Sequence, residues 1–154
     1  MHGPRLVGNI AILWGILSCI PSTTFALTLT KIQDLEFGRL VGGSGYFGSV
    51  TIDASGERHA SGSIRLLGSG FKPARFLLYG TPGETYTIAI PSSLTMASGA
   101  DQMEVSAVTC SVPASGTLPP SGSLAVALGG TLTVKATQSS KAYLGNFNLS
   151  VTGN

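Results

Sequence analysis

Residues 40–56, LVGGSGYFGSVTIDASG, admit two readings, and the choice between them decides the fold. Gly43-Ser44-Gly45-Tyr46-Phe47-Gly48 matches G-x-G-x-x-G letter for letter. In a dinucleotide-binding fold that spacing cradles a pyrophosphate where a strand passes into a helix, because the helix N-terminus supplies the donors. The next residues here are SVTIDASG, in which Val50 and Ile52 alternate with polar residues before a Ser-Gly turn. That is a strand ending in a turn. The glycines therefore read as a connection between two strands, with Gly48 allowing a bend or a close contact. No nucleotide is expected at this motif.

The same period of two runs outward from this stretch. YTIAI sets Tyr86, Ile88 and Ile90 on one side, and MEVSAV sets Met103, Val105 and Ala107 against Glu104 and Ser106. LAVAL gives Leu124, Val126 and Leu128; LTVKA gives Leu132, Val134 and Ala136. FNLSVTGN places Phe147, Leu149 and Val151 opposite Asn148, Ser150 and Thr152. Such alternation marks half-buried antiparallel strands. After residue 26 no window has the three-and-four spacing of an amphipathic helix. Turn signals recur at Ser55-Gly56, Pro82-Gly83, Ser98-Gly99, Ser121-Gly122 and Gly129-Gly130. The sequence predicts strands near 27–33, 46–53, 60–67, 74–80, 84–90, 102–109, 122–128, 131–138 and 143–152. The expected fold is all-β, an immunoglobulin-like antiparallel β-sandwich of about seven to nine strands. No linker divides residues 27–154, which read as a single domain.

The N-terminal stretch has a different character. Arg5 precedes an apolar run from Leu6 to Ile20, a polar patch comes next, and Thr24-Phe25-Ala26 ends it as a small-x-small site. This is the three-part plan of a secretory signal peptide over residues 1–26, with cleavage expected between Ala26 and Leu27. The run is short for a membrane span, so none is expected after cleavage. The rival reading is an uncleaved anchor. Ile16-Leu17-Ser18 ahead of Cys19 does not suit lipid attachment, and Cys19 reads as a small apolar residue within the leader. Removing it leaves Cys110, which is expected to be buried and to form no internal disulfide.

Composition excludes several function classes. Only 10% of residues are charged, and the formal net charge is +2 before Arg5 is lost with the leader. No basic patch stands out, so nucleic acid is not an expected partner. His59 is the one histidine after the leader, too few for a zinc site. A Ser-His-Asp arrangement from His59, Asp53 and a serine lacks a nucleophile elbow. The carboxylates Asp34, Glu36, Asp53, Glu57, Glu84, Asp101 and Glu104 fall at turns or polar strand positions, where solvated roles are expected. Asp34 with Glu36, or Asp101 with Glu104, does not follow a calcium-loop pattern. No catalytic, metal or cofactor-binding residue is assigned.

The order of short motifs carries a resemblance. DLEFGRL (34–40), GSVTID (48–53), PARFLLYGTPGETYTIAIP (73–91) and GGTLTVKATQSSKAYLGNFNLSVT (129–152) succeed one another. In this the chain resembles the bacterial secreted domain-of-unknown-function family numbered 4402, and more broadly fimbrial and spore-coat-U-like surface proteins. The resemblance implies an exported surface or fimbria-like subunit, destined for the periplasm, cell surface or medium. Its implied partners are other copies or related subunits, and a periplasmic chaperone that grips the C-terminal strand. Val151-Thr152-Gly153-Asn154 departs from that family in carrying no terminal aromatic, and the paired cysteines of many pilins are missing.

Assembly by strand exchange has a physical basis, since an alternating strand can complete another chain's sheet. Candidate residues are Leu27, Leu29 and Ile32 in LTLTKIQ, and Phe147, Leu149 and Val151 in the last strand. The N-terminal set has a second use open to it, as the first strand of its own sheet. The competing function is a self-contained extracellular glycan- or protein-binding module. A hydrolase is the third class.

Overall fold

The computed structural model describes residues 10–19, 27–41, 45–139 and 141–153, with side-chain placement given from residue 27 onward. Those residues are all-β, without a helix, and thirteen strands succeed one another. They are β1 (Ile10–Cys19), β2 (Thr28–Gln33), β3 (Glu36–Val41), β4 (Gly48–Ile52), β5 (Arg58–Gly62), β6 (Arg65–Leu67) and β7 (Ala74–Tyr79). Then come β8 (Thr85–Ala89), β9 (Leu94–Ser98), β10 (Asp101–Cys110), β11 (Ser115–Thr117), β12 (Ser123–Val134) and β13 (Ala142–Gly153).

The main sheet has the order β2-β7-β12-β10-β9-β13-β1-β3-β6. The β4–β5 hairpin joins it along β12, and β8 pairs with β11 and with the end of β13. All of these pairings are antiparallel except that of β1 with β13. A single core lies beneath, led by fully buried Tyr143, Phe37, Phe76, Leu35, Leu40, Ile52 and Leu78. Alternation produces it: Ala74, Phe76 and Leu78 on β7 are buried, while Arg75 and Tyr79 are exposed. Burying one Phe or Leu contributes about 1.5–3 kcal/mol.

More strands are present than the seven to nine expected, for identifiable reasons. Residues 60–67 divide into β5 and β6 at Ser63-Ile64. β3, β9 and β11 occupy stretches assigned no strand, and β1 falls within the stretch read as leader. Conversely, 122–128 and 131–138 are halves of one strand, so Gly129-Gly130 is no turn. β12 pairs with β10 on one edge, while its other edge changes partner from β7 (through Leu128) to β4 (from Gly130). At the changeover the Ile52 carbonyl and Asp53 backbone press so close that a Cβ on Gly129 would collide with them. Glycine is what lets the strand run through.

Two facing assignments also change. Ala107 is exposed rather than core-facing, because β10 bulges between Ser106 and Thr109 and Ala107 has a φ of 48°. The extra residue turns Val108 and Cys110 toward the core instead. Cys110 is half-buried, a free thiol opposite Leu128. Ala136 lies exposed beyond the end of β12. The turn at Thr81-Pro82-Gly83-Glu84 forms as expected: Glu84 N–H donates to Thr81 O (2.9 Å), and Gly83 takes a φ of 77°.

The glycine motif leads directly into β4. Of its glycines, Gly43 lies outside the described residues, while Gly45 sits in a turn and Gly48 begins the strand. Gly48 lies opposite Gly62 on β5, and a Cβ on either would strike the backbone of the other strand. The spacing serves a close hairpin approach. Expected residues of the leader up to Asn9, and 20–26 with Ala26, also lie outside the described residues.

Candidate functional site

The feature with a capacity to act is a slot one strand wide between β3 and β13. β13 is paired on one edge by β1, from Ile12 opposite Ala142 to Cys19 opposite Leu149. β3 is paired on its facing edge by the same strand, from Ile10 opposite Val41 to Trp14 opposite Glu36. No ladder joins β3 to β13 directly among the described residues. Take β1 away and two strand edges face each other across a gap of one strand's width, each with unpaired N–H and C=O groups.

One wall is built by β13. Tyr143, Phe147 and Leu149 are buried at alternating positions, with Gly145 completing the row. Tyr143 is fixed at its phenol: Gln138 Nε2 donates to Tyr143 Oη (2.7 Å), which donates onward to Ser139 O (2.8 Å). Gln138 Nε2 also lies 3.3 Å from Gln102 O, tying this corner to β10. Just ahead of β13, the Lys141 ammonium donates to Asp101 Oδ2. The hydrogen bond from Lys141, then that of Ser139, holds the Asp101 carboxyl below its ordinary value. Asp101 in turn raises Lys141. These contacts fix where the wall begins.

The other wall is β3, where Phe37 and Leu40 are fully buried. They are three apart because β3 carries a bulge: Leu13 pairs with Gly38 and Trp14 with Glu36, so Phe37 is the extra residue. Gly38 has a φ of 76°, as such a bulge requires. Arg58 braces the distortion from the β4–β5 hairpin. Its Nη1 donates to Phe37 O (3.2 Å), its Nη2 donates to Gly68 O (2.8 Å), and its guanidinium stacks 4.2 Å from the Phe71 ring centre. Partial burial lowers its pKa from the usual value.

The strand-exchange candidates separate into two places. Phe147 and Leu149 border the slot, and Val151 lies past it, opposite Ile88 on β8. Leu27 is buried, packing near Gly80 and Gly153, while Leu29 is half-buried and Ile32 is 60% exposed. Their strand, β2, is laddered to β7 from Thr28 opposite Tyr79 to Gln33 opposite Arg75. In this structure β2 is therefore spent on the chain's own sheet. The sequence reading missed the β3 wall, whose one signal was Phe37 beside Gly38 in EFGRLV.

The polar clusters do other work. Asp53, Glu57 and His59 bring one ligand atom each within 4.8 Å of one another. Yet Asp53 Oδ1 already accepts from Ser55 Oγ (2.5 Å), Gly56 N–H (2.9 Å) and Glu57 N–H (2.9 Å), closing the β4–β5 turn. The Ser55 hydroxyl is the main reason the Asp53 carboxyl is held below its usual value. His59, largely exposed, faces Glu57 Oε2 at 3.5 Å. A shallow groove runs along Thr85, Tyr86, Thr87 and Ser115–Thr117, where Gly116 sits over the Tyr86 phenol.

Fold and slot together define an all-β domain whose sheet holds a strand from outside residues 27–153. Residues 27–152 match the family described as Domain of unknown function (DUF4402), and the chain belongs to that family. Comparison with curated proteins and with solved structures gave no match. No helix among the described residues is long and apolar enough to cross a membrane.

Proposed function

We propose that this protein is an exported, non-catalytic cell-surface or fimbria-like structural subunit, completed by a strand from another polypeptide. The observation that carries the reading is the source of β1. The slot between β3 and β13 is filled by residues 10–19, which lie inside the stretch that the sequence assigns to a removable leader. Loss of residues 1–26 leaves residues 27–153 with an acceptor and no strand in it.

An incoming strand is held in two ways. Backbone groups along 142–149 and 36–41 supply hydrogen bonds that are indifferent to sequence. Specificity comes from alternate positions, which come into register with Tyr143, Gly145, Phe147 and Leu149 on one side and with Leu40 on the other. The occupant this suits is an extended segment with apolar residues at every second position. Related surface subunits are its natural source, and a chaperone strand serves the same edge during export. In this reading the sheets form an immunoglobulin-like sandwich lacking one strand.

The alternative is a self-contained binding module, and β1 bears on it as well. A chain that keeps residues 10–19 closes its own slot and requires no partner. N-terminal sequencing of the protein recovered from outside the inner membrane, with its native mass, decides between them. The subunit reading expects Leu27 or a near neighbour as first residue, and a complex with a strand-bearing chain. A strictly monomeric protein retaining residues 10–19 contradicts it.

A further inference from the structure

We propose that Asp53, Glu57 and His59, at the turn of the β4–β5 hairpin, bind one divalent transition cation of the Zn²⁺ type. The hairpin register sets the site up. Thr51 lies opposite His59 and Ile52 opposite Arg58, so Asp53 and Glu57 form the next rung, where Asp53 N–H donates to Glu57 O (3.1 Å). Residues two apart on a strand share a face, which puts Glu57 and His59 together with Asp53 across from them. Arg58, between the two, serves the other face, where its guanidinium bonds to Phe37 O and Gly68 O and stacks on Phe71. One ligand atom from each of the three lies within 4.8 Å of the others, and His59 Nε2 is 3.5 Å from Glu57 Oε2. None of the three lines the slot.

The charges favour a cation. Two carboxylates directly opposite each other on paired strands repel. Among the described residues no lysine or arginine forms an ion pair with either, and the partner of Glu57 is His59. A single histidine is too few for a Cys/His zinc site, but here two carboxylates join it. Imidazole nitrogen with carboxylate oxygen suits Zn²⁺ and its neighbours, whereas Ca²⁺ takes oxygen ligands alone. Zinc bonds of about 2.0–2.2 Å in a tetrahedron set the ligand atoms about 3.3–3.6 Å apart. The His59–Glu57 separation already meets that distance. Asp53 is held still by the bonds from Ser55, Gly56 and Glu57, which all fall on Oδ1 and leave Oδ2 for the ion. The side chains of Glu57 and His59, 73% and 65% exposed, have room to close on it. A bound ion would tie β4 to β5 across the turn, with its remaining positions open to water.

The test titrates the full chain, free of any polyhistidine tag, with ZnCl₂ in a calorimeter. Wild type should take up one equivalent through this site. His59→Ala and Glu57→Gln should each weaken that binding at least about tenfold, since losing even an outer-shell partner costs a metal site 10–100-fold. Both side chains are exposed, so both variants keep the fold; Asp53 is left in place because it closes the turn. Cys110→Ser should bind as wild type does. A second readout is thermal unfolding: Zn²⁺ should raise the midpoint of wild type in a concentration-dependent way and raise that of His59→Ala less. Absence of Zn²⁺ binding overturns the site. So does equal affinity in wild type and His59→Ala, dependence on Cys110, or a preference for Ca²⁺ over Zn²⁺.

Discussion

Gly15 lies opposite Gly145 midway along the parallel pairing of β1 with β13. On its other side Gly145 is crowded: a Cβ there would stand 2.6 Å from the Thr95 carbonyl and 3.0 Å from Met96 Cγ on β9. The slot wall is thus set against β9 by the absence of a side chain.

Gly145→Ala is expected to destabilise the protein by about 1–3 kcal/mol, because β13 must move off β9 to admit the methyl group. Urea denaturation of the variant checks this. An unchanged midpoint would mean that β9 and β13 are not held together as closely as the glycine implies.

Tyr143→Phe removes the hydroxyl that links Gln138 Nε2 to Ser139 O while leaving the buried ring. The expected loss is about 1–2 kcal/mol, the cost of leaving buried partners short of a bond. Phe147→Ala removes a ring from the same row and should cost about 3–5 kcal/mol. The two variants, compared by thermal or chemical unfolding, should keep that order.

Arg58→Met should loosen β3 at its bulge, since the guanidinium bonds to Phe37 O and Gly68 O and covers the Phe71 ring. A loss of about 1–3 kcal/mol is expected. Amide exchange should quicken around residues 36–41 more than around β7 or β12.

The Asp101–Lys141 pair sets a pH window. Asp101 is depressed in the folded protein, so its contribution is present above the ordinary value of 3.8 and lost as pH falls through the lower folded value. Lys141 is raised, so its contribution is full below 10.5 and lost as pH rises through the higher folded value. Asp101→Asn should lower the urea midpoint slightly at pH 7, and the difference should shrink as pH falls through the folded value. Both groups are open to solvent, so high salt should shrink the difference.

Much of this architecture was legible wherever alternation ran unbroken. β7, β8 and β13 announce themselves, and Phe147, Leu149 and Val151 do share the buried face. What escaped was hidden by glycine. Gly38 breaks the alternation of β3, so Phe37 and Leu40 did not read as one strand's inner face. Gly129-Gly130 read as a turn because a sequence does not show two other strands meeting at one edge. Ala107 was misplaced by a bulge with no residue signature. The slot itself was illegible, because the strand that reveals it has the composition of a leader. Apolar runs of that length fit both uses, and the pairing with Ala142–Leu149 and Glu36–Val41 is visible only in the structure.

The most direct measurement is hydrogen exchange at residues 36–41 and 142–149 in protein lacking residues 1–26, alone and with a labelled peptide of residues 10–19. An acceptor slot predicts fast exchange at both segments in the free protein and strong protection of both when the peptide is added. Equal protection with and without the peptide would contradict the claim that a strand from outside residues 27–153 completes this sheet.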